Sequence, residues 1–209
     1  MNRDPKKVVE QGYDRIAERH TEWAAGVRTK ERARYLATFC ALVPEGAPVL
    51  ELGCGAGGRV TRALAARFRL LAVDISARSI DKARQDIAEA QFLHGDMTEL
   101  DFPPSTFAGV AAFYSIIHVP REEQGALLIR IGHWLRPGGV FVGALGARDL
   151  PESYEESWLG TRMFWSSYDA ETGRRLLEEA GFELRVAAVE TADEDGEQIS
   201  FLWVVAQKS

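Results

Sequence analysis

The sequence predicts an α/β protein. It reads as one doubly wound seven-stranded sheet, last strand antiparallel, with a helical cap at the N-terminus. Three observations predict it. From residue 47 onward, apolar runs of strand length alternate with segments of helix length, which calls for a parallel sheet covered on both faces. The last two runs have no helix between them, so they pair antiparallel. The first run ends at Glu51-Leu52 and enters Gly53-Cys54-Gly55-Ala56-Gly57, a turn almost free of side-chain bulk where a ligand can lie against bare backbone.

The elements follow in order. Residues 5–42 read as two helices, with Val8, Val9, Tyr13, Ile16 and Ala17, then Tyr35, Leu36, Phe39 and Leu42, at helical spacing. Pro44-Glu45-Gly46 separates them from the first strand. Strands are expected at 47–52, 69–74, 91–94, 107–113, 138–145, 182–190 and 198–207, and helices at 57–67, 76–89, 121–135 and 169–180. Asp169 suits the N-cap of the last helix and Gly181 its stop. Residues 191–197 read as an acidic hairpin loop. Residues 146–168 read as an irregular insertion holding Tyr154, Trp158, Phe164, Trp165 and Tyr168. So many aromatics would be costly to expose, and a lid over a substrate is expected. Residues 1–209 read as a single domain, with 1–42 as its helical cap.

Composition narrows the function classes. A chain of 209 residues, 46% hydrophobic and 27% charged, suits one soluble domain. No apolar stretch approaches the roughly 20 residues of a membrane helix. Met1 to Lys7 is charged and no signal-type block follows, and Cys40 and Cys54 form neither a disulfide framework nor a metal-ligand spacing. A cytoplasmic protein without metal is expected. The net charge of −6 argues against nucleic acid. Residues 1–40 hold nine Lys/Arg and six Asp/Glu, a net +3, which leaves −9 for the rest.

Three acids at successive strand ends point to the ligand's chemistry. Glu51 stands two residues before Gly53, where it would repel a pyrophosphate and attract a cation. This disfavours a nicotinamide dinucleotide. Asp74, 21 residues past Gly53, falls where a second strand of a βαβ unit binds ribose hydroxyls. Asp96 ends the third strand and can accept from an exocyclic amine such as adenine N6. Ile75 and Met97 follow these acids and could sandwich an adenine ring. The set suits a cationic nucleoside.

"VLELGCGAG", "AVDIS", "GDM" and "LRPGG" stand in the order and at the spacings of a known family. Over roughly residues 9–209 the chain resembles the class I S-adenosylmethionine-dependent methyltransferases, a Rossmann-like fold. The resemblance implies S-adenosyl-L-methionine as cofactor, S-adenosyl-L-homocysteine as product, and contact with Gly53, Gly55 and Gly57. The segment Tyr13 to His20 looks like the "YDxxAxxY" opening helix of small-molecule members, whose first tyrosine reaches over the cofactor's methionine end. Tyr13 matches; His20 replaces the second aromatic, which leaves its role open. In the family the loop after Phe113 lies beside the transferred methyl. Phe113 is therefore expected at the cofactor and Tyr114 at the acceptor. His118 is the best-placed general base, with an ordinary pKa near 6.5; the alternative is a loop histidine bonded to backbone. Trp158, Arg162 and Trp165 are expected to bind substrate. Cys54 reads as a small filler rather than a reactive thiol. His94 and His133 read as structural. The Asn/Asp-Pro-Pro-Tyr/Phe sequence of amine- and base-directed members is absent, which points to a small acceptor. The expected function is methyl transfer to an oxygen or nitrogen of a small molecule. The alternative is a cofactor-binding, non-methylating enzyme or accessory protein on the same fold.

Overall fold

The structure, a computed structural model, describes residues 4–194 and 196–209. It begins with α1 (Pro5–Gly26) and α2 (Thr29–Leu42). Asp4 caps α1 by accepting from the Lys6 N–H, and Pro5 sits in the first turn, where a missing N–H costs nothing. Then come β1 (Pro48–Leu52), α3 (Arg59–Ala65), β2 (Arg69–Asp74), α4 (Ala77–Asp86), β3 (Gln91–His94) and β4 (Phe107–Phe113). The chain continues through α5 (Arg121–Trp134), β5 (Leu135–Gly146), β6 (Leu150–Trp158), β7 (Thr161–Ser167), α6 (Ala170–Glu179), β8 (Phe182–Glu194) and β9 (Glu197–Lys208).

Seven strands form one sheet in the order β3-β2-β1-β4-β5-β9-β8. Strands β1 to β5 pair in parallel, and β9 runs antiparallel to both β5 and β8, as the sequence predicts. The order reverses between β1 and β4, which opens a crevice at the carboxyl ends of the strands. Both faces are buried. Leu50, Val110, Phe141 and Leu202 pack toward Leu128 of α5 and Leu177 of α6. Their neighbours Val49, Ala111, Val142 and Trp203 pack toward Phe39 of α2, Leu64 of α3 and Ile80 of α4. Burial on two sides is why these strands read as unbroken apolar runs. Asp169 caps α6 by accepting from the Thr172 N–H, and Gly181 follows the helix with φ +81.

Residues 146–168 depart from expectation. They are not irregular: β6 and β7 form a two-stranded antiparallel hairpin. Register breaks between Leu150 and Ser153, and between Glu155 and Trp158, interrupt the alternation that marks a strand in sequence. Leu159 (φ 47) and Gly160 (φ 82) form the two-residue turn, and leucine is an unusual residue for that conformation. The hairpin docks on α1, where Met163 and Phe164 pack with Val8, Val9 and Ile16. The acidic loop is also shorter than expected, since β8 and β9 pair from Thr191↔Ser200 out to Glu194↔Glu197. Asp195 of that loop lies outside the described residues.

The crevice depends on Gly53, at the exit of β1. It has φ +80, and a Cβ there would fall 2.2 Å from Ser115 Cβ of the loop after β4. Gly46 has φ +70 but open space around it. Alanine at either position bears about 1–2 kcal/mol for the left-handed backbone. Only Gly53→Ala adds a clash, expected to remove a further ~1–3 kcal/mol of unfolding free energy in urea titrations. Equal losses for the two variants would show that the two loops do not meet.

Candidate functional site

The carboxyl ends of β1 to β4 open into a cleft of ≈ 1140 Å³. A pocket for one drug-sized ligand spans about 300–1,000 Å³, so this cleft is larger than one such ligand needs. Its floor is the glycine turn. Gly53 N–H and Cys54 N–H both donate to Val73 O, at 2.8 and 3.1 Å, which draws the turn toward β2. Gly57 packs against α4, where a Cβ would fall 2.8 Å from Ile87 Cδ1. A Cβ on Gly55 would meet only His20 Nδ1, 4.0 Å away, so Gly55 presents bare backbone.

Asp74 ends β2 and is buried. Its Oδ2 accepts from the Gly55 N–H at 2.7 Å and its Oδ1 from the Ser76 N–H at 2.9 Å. Ser76, not Asp74, caps α4, through its Oγ and the Ser79 N–H. Burial raises the Asp74 pKa against the pull of the two N–H groups. Glu51 lies beneath the turn, 4% exposed. Its Oε1 accepts from Thr61 Oγ1 at 3.1 Å, and its Oε2 is buried with no hydrogen-bond partner among the described residues. Burial pushes its pKa up to about 8; the Thr61 bond opposes this and the Asp74 carboxylate adds to it. An orphaned buried acceptor costs about 1–3 kcal/mol, which a cationic donor would recover. Cys54 is buried and its thiol is pushed well up, first by burial and then by these two acids, so it fills space.

Asp96 is more committed than its sequence position suggests. Its Oδ1 accepts from Thr98 N–H and Oγ1, and its Oδ2 pairs with Lys6 Nζ of α1 at 3.0 Å. Ile75 and Met97 line the cleft, half-buried. Phe113 also borders it, its ring 5.9 Å from that of Trp203. Tyr114 has φ +60, and its buried hydroxyl has no partner among the described residues.

His118 ends a short 3-10 turn after β4. Its Nδ1 lies 2.7 Å from Phe164 O, and only a protonated Nδ1 can donate to a carbonyl. Nε2 therefore carries the lone pair and accepts from Tyr13 Oη at 2.9 Å. Burial lowers the His118 pKa to about 4, against the effect of the carbonyl bond. Of the two readings of His118, the geometry matches the loop histidine bonded to backbone, and Tyr13 takes up the other ring nitrogen. The ring is neutral at pH 7 and its lone pair is occupied. Burial also raises the Tyr13 phenol, so it keeps its proton.

Trp158 closes the cleft from above. Its ring lies 6.1 Å from Tyr13, 5.8 Å from His20, 5.4 Å from Trp23 and 5.5 Å from Trp165. Arg162 is a correction: it does not border the cleft. Alternation along β7 turns it away from the Trp165 face, onto Tyr154 at 4.5 Å and into an ion pair with Glu156 at 2.9 Å. Sequence reasoning missed Lys6, Trp23, Arg28 and Arg32, which all line the cleft. Lys6 and Tyr13 are seven residues apart and share a face of α1, a spacing visible in the sequence without its target.

Residues 49–139 match a family described as a methyltransferase domain, a stretch holding the glycine turn, all three strand-end acids and His118. Over these residues the chain is similar to a methyltransferase domain. Carboxy-S-adenosyl-L-methionine synthase of Chromohalobacter salexigens is 33% identical over 129 residues, 56% of this chain and 46% of its own length. Fatty-acid O-methyltransferase of Mycolicibacterium smegmatis is 36% identical over 115 residues, 52% of this chain and 41% of its own. The chain thus matches less than half of the length of either relative. The N-methyltransferase NodS of Bradyrhizobium japonicum, solved with S-adenosyl-l-homocysteine, superposes with a TM-score of 0.72 at 19% identity, over 98% of this chain and 99% of that one, a likeness of fold.

The two cleft histidines make stability depend on pH. Burial lowers the pKa of His20 to about 4, with His118 and Arg32 adding to the effect, and His118 is also near 4. Between pH 6.5 and 4 the unfolded chain binds more protons at these sites than the folded one. Their contribution is therefore full above 6.5 and is lost as pH falls toward 4. His118→Asn, which keeps an N–H donor for Phe164 O, should flatten the fall of Tm over that window relative to the parent protein. Parallel curves would show that His118 is charged in the folded state.

Proposed function

We propose that this protein is an enzyme that transfers a methyl group from S-adenosyl-L-methionine to an oxygen or nitrogen of a small molecule. The observation that carries this reading is Glu51 Oε2, a buried acceptor without a partner among the described residues, at the foot of a turn of three glycines. It fits an ammonium group and does not fit a pyrophosphate. Gly53, Gly55 and Gly57 would give backbone contact beside it, with Tyr13 and Phe113 at the same end. Asp74 would take the ribose hydroxyls on lone pairs that Gly55 and Ser76 leave free. Ile75, Met97 and Asp96 would surround the adenine, with Asp96 shared between Lys6 and the ring. When bound, the cofactor supplies an electrophilic methyl group on a sulfonium.

The chain's own residues would act mainly by placement. Trp158 and Trp165 of the hairpin, with Tyr13 and His20 of α1, form a lid that excludes water. His118 holds the Tyr13 hydroxyl in place rather than taking a proton from the acceptor. Tyr114, Trp158 and Trp165 would contact the acceptor. Positioning of this kind supplies roughly 7–11 kcal/mol in favourable cases. The occupied lone pair of His118 also suits the second reading, a non-methylating enzyme that uses the same cofactor.

No helix among the described residues is long and apolar enough to cross a membrane. The free thiols of Cys40 and Cys54 suit the cytoplasm, and a net charge of −6 disfavours nucleic acid as the acceptor.

Two expectations test the site. Asp74→Asn should weaken S-adenosyl-L-homocysteine binding by about 1.5–3 kcal/mol in calorimetry, the worth of hydrogen bonds to a charged acceptor. Parent affinity in this variant would remove Asp74 from the cofactor site. Glu51, with a pKa near 8, is mainly protonated at pH 7 and should expel its proton when an ammonium group arrives. Titrations at pH 7 in buffers of different ionisation enthalpy should show proton release for the parent and none for Glu51→Gln. The same buffer dependence in both would place the ammonium group elsewhere.

A further inference from the structure

One hydroxyl reaches the buried carboxyl group of Glu51. Thr61 stands in the first turn of α3 and is 1% exposed. Its Oγ1 lies 3.1 Å from Glu51 Oε1 and 3.4 Å from Cys54 O. A hydroxyl has one proton to donate and two lone pairs that accept. Thr61 can therefore donate to the carboxyl group or to the carbonyl, and the choice is made by rotation about one bond.

The charge on Glu51 makes that choice. When Glu51 is ionised, Oε1 is the stronger acceptor, and the Thr61 proton points to it. When Glu51 is protonated on Oε1, the carboxyl proton is donated to Thr61 Oγ1, and the Thr61 proton turns to Cys54 O. Neither state strands the carbonyl, because Cys54 O also accepts from the Gly57 N–H at 3.3 Å. Both states leave Glu51 Oε2 open, and that oxygen has no partner among the described residues.

The other groups around Glu51 offer no such exchange. Ala72 of β2 and Ala111 of β4 flank it in register and carry no polar side chain. The Asp74 carboxylate of β2 opposes its ionisation, and the buried Cys54 thiol keeps its proton. Among the described residues, Thr61 is the one hydrogen-bond donor to this carboxyl group.

We infer that Thr61 is a positioning residue for cofactor binding: its hydroxyl turns from Cys54 O to Glu51 Oε1 as an arriving ammonium group expels the carboxyl proton to solvent. The inference rests on the reading that Glu51 receives the cofactor's ammonium group. The protons balance. The carboxyl O–H gives its proton to the buffer, the ammonium group keeps its own, and the Thr61 proton stays on its oxygen throughout. The ionised carboxylate then has Thr61 on Oε1 and the ligand on Oε2.

Calorimetric titrations of S-adenosyl-L-homocysteine between about pH 6.5 and 8.5, in buffers of different ionisation enthalpy, read the protons released per ligand bound. The parent should release a proton at pH 7 and fewer as pH rises through about 8. The Thr61 bond holds the Glu51 pKa down against burial, so Thr61→Val should carry the release upward by about one pH unit, the scale of one hydrogen bond to a charged group. Its affinity at pH 7 should be about tenfold weaker, and the gap should narrow as pH rises. A packing defect alone would weaken binding equally at every pH. Thr61→Ser should restore the parent profile, and Thr61→Cys, a weak donor, should fall between. Thermal midpoints check that each variant folds, and the serine and cysteine variants decide the matter if the valine variant does not. A release profile that ignores Thr61 but vanishes in Glu51→Gln would overturn the inference alone. Release that is absent from the parent, or the same in Glu51→Gln, would refute the ammonium reading and the inference with it.

Discussion

The buried carboxylate of Asp74 accepts the Gly55 N–H at 2.7 Å and the Ser76 N–H at 2.9 Å, and so ties the end of β2 to both the glycine turn and the start of α4. The cleft floor depends on this grip. Three left-handed glycines make the turn soft, and only the small side chains of Cys54 and Ala56 pack within it. An ionised carboxylate bonded to two backbone donors is stronger than two neutral bonds would be. Glu51 sits beneath the same turn with one oxygen unpartnered. Two acids this deep disfavour each other's ionisation, and a cation beside them would favour it.

Helix α1 acts as a strap across the strand ends. Lys6 reaches Asp96 after β3, Tyr13 reaches His118 after β4, and Asp14 accepts from Ser76 Oγ at 2.7 Å after β2. The three contacts come from Lys6 and, about two turns further along the helix, from the adjacent Tyr13 and Asp14, and they span three loops. The hairpin then packs on α1 through Met163 and Phe164. Anything bound at the strand ends is therefore enclosed by elements that touch one another. That linkage lets an apolar wall form over a polar floor.

The acidic floor and the cleft-lining Arg28 and Arg32 carry opposite charge, and the sheet order is the reason. Reversal at β1 and β4 places successive strand ends on one side and the ends of β4, β9 and β8 on the other. Acids gather where the chain runs β1 to β3, and arginines from the α1–α2 junction fall on the opposite side. Low dielectric sharpens this division where the groups are buried, as at Glu51, Asp74 and Arg28.

Much of the architecture was legible in the chain's pattern. Strand and helix alternation, the antiparallel final strand, the glycine turn and its three acids all follow from short-range periodicity and turn chemistry, as does the Asp169 cap. Periodicity reports which face of its own element a residue occupies. It does not report what that face meets. Hence Asp74 could be placed at a strand end, but its bond to Gly55 could not. Tyr13 and His118 were singled out separately, yet only the fold brings Oη and Nε2 to 2.9 Å and decides between a base and a bonded loop histidine in favour of the second. The β6–β7 hairpin was hidden because two register breaks erase its alternation, and Arg162 was assigned to the cleft because its face could not be read without those strands. Lys6 meets Asp96 across ninety positions of sequence, a pairing no local signal encodes. Local chemistry determined the elements and their ends; which side chains share a cavity was decided by packing between elements far apart in the chain.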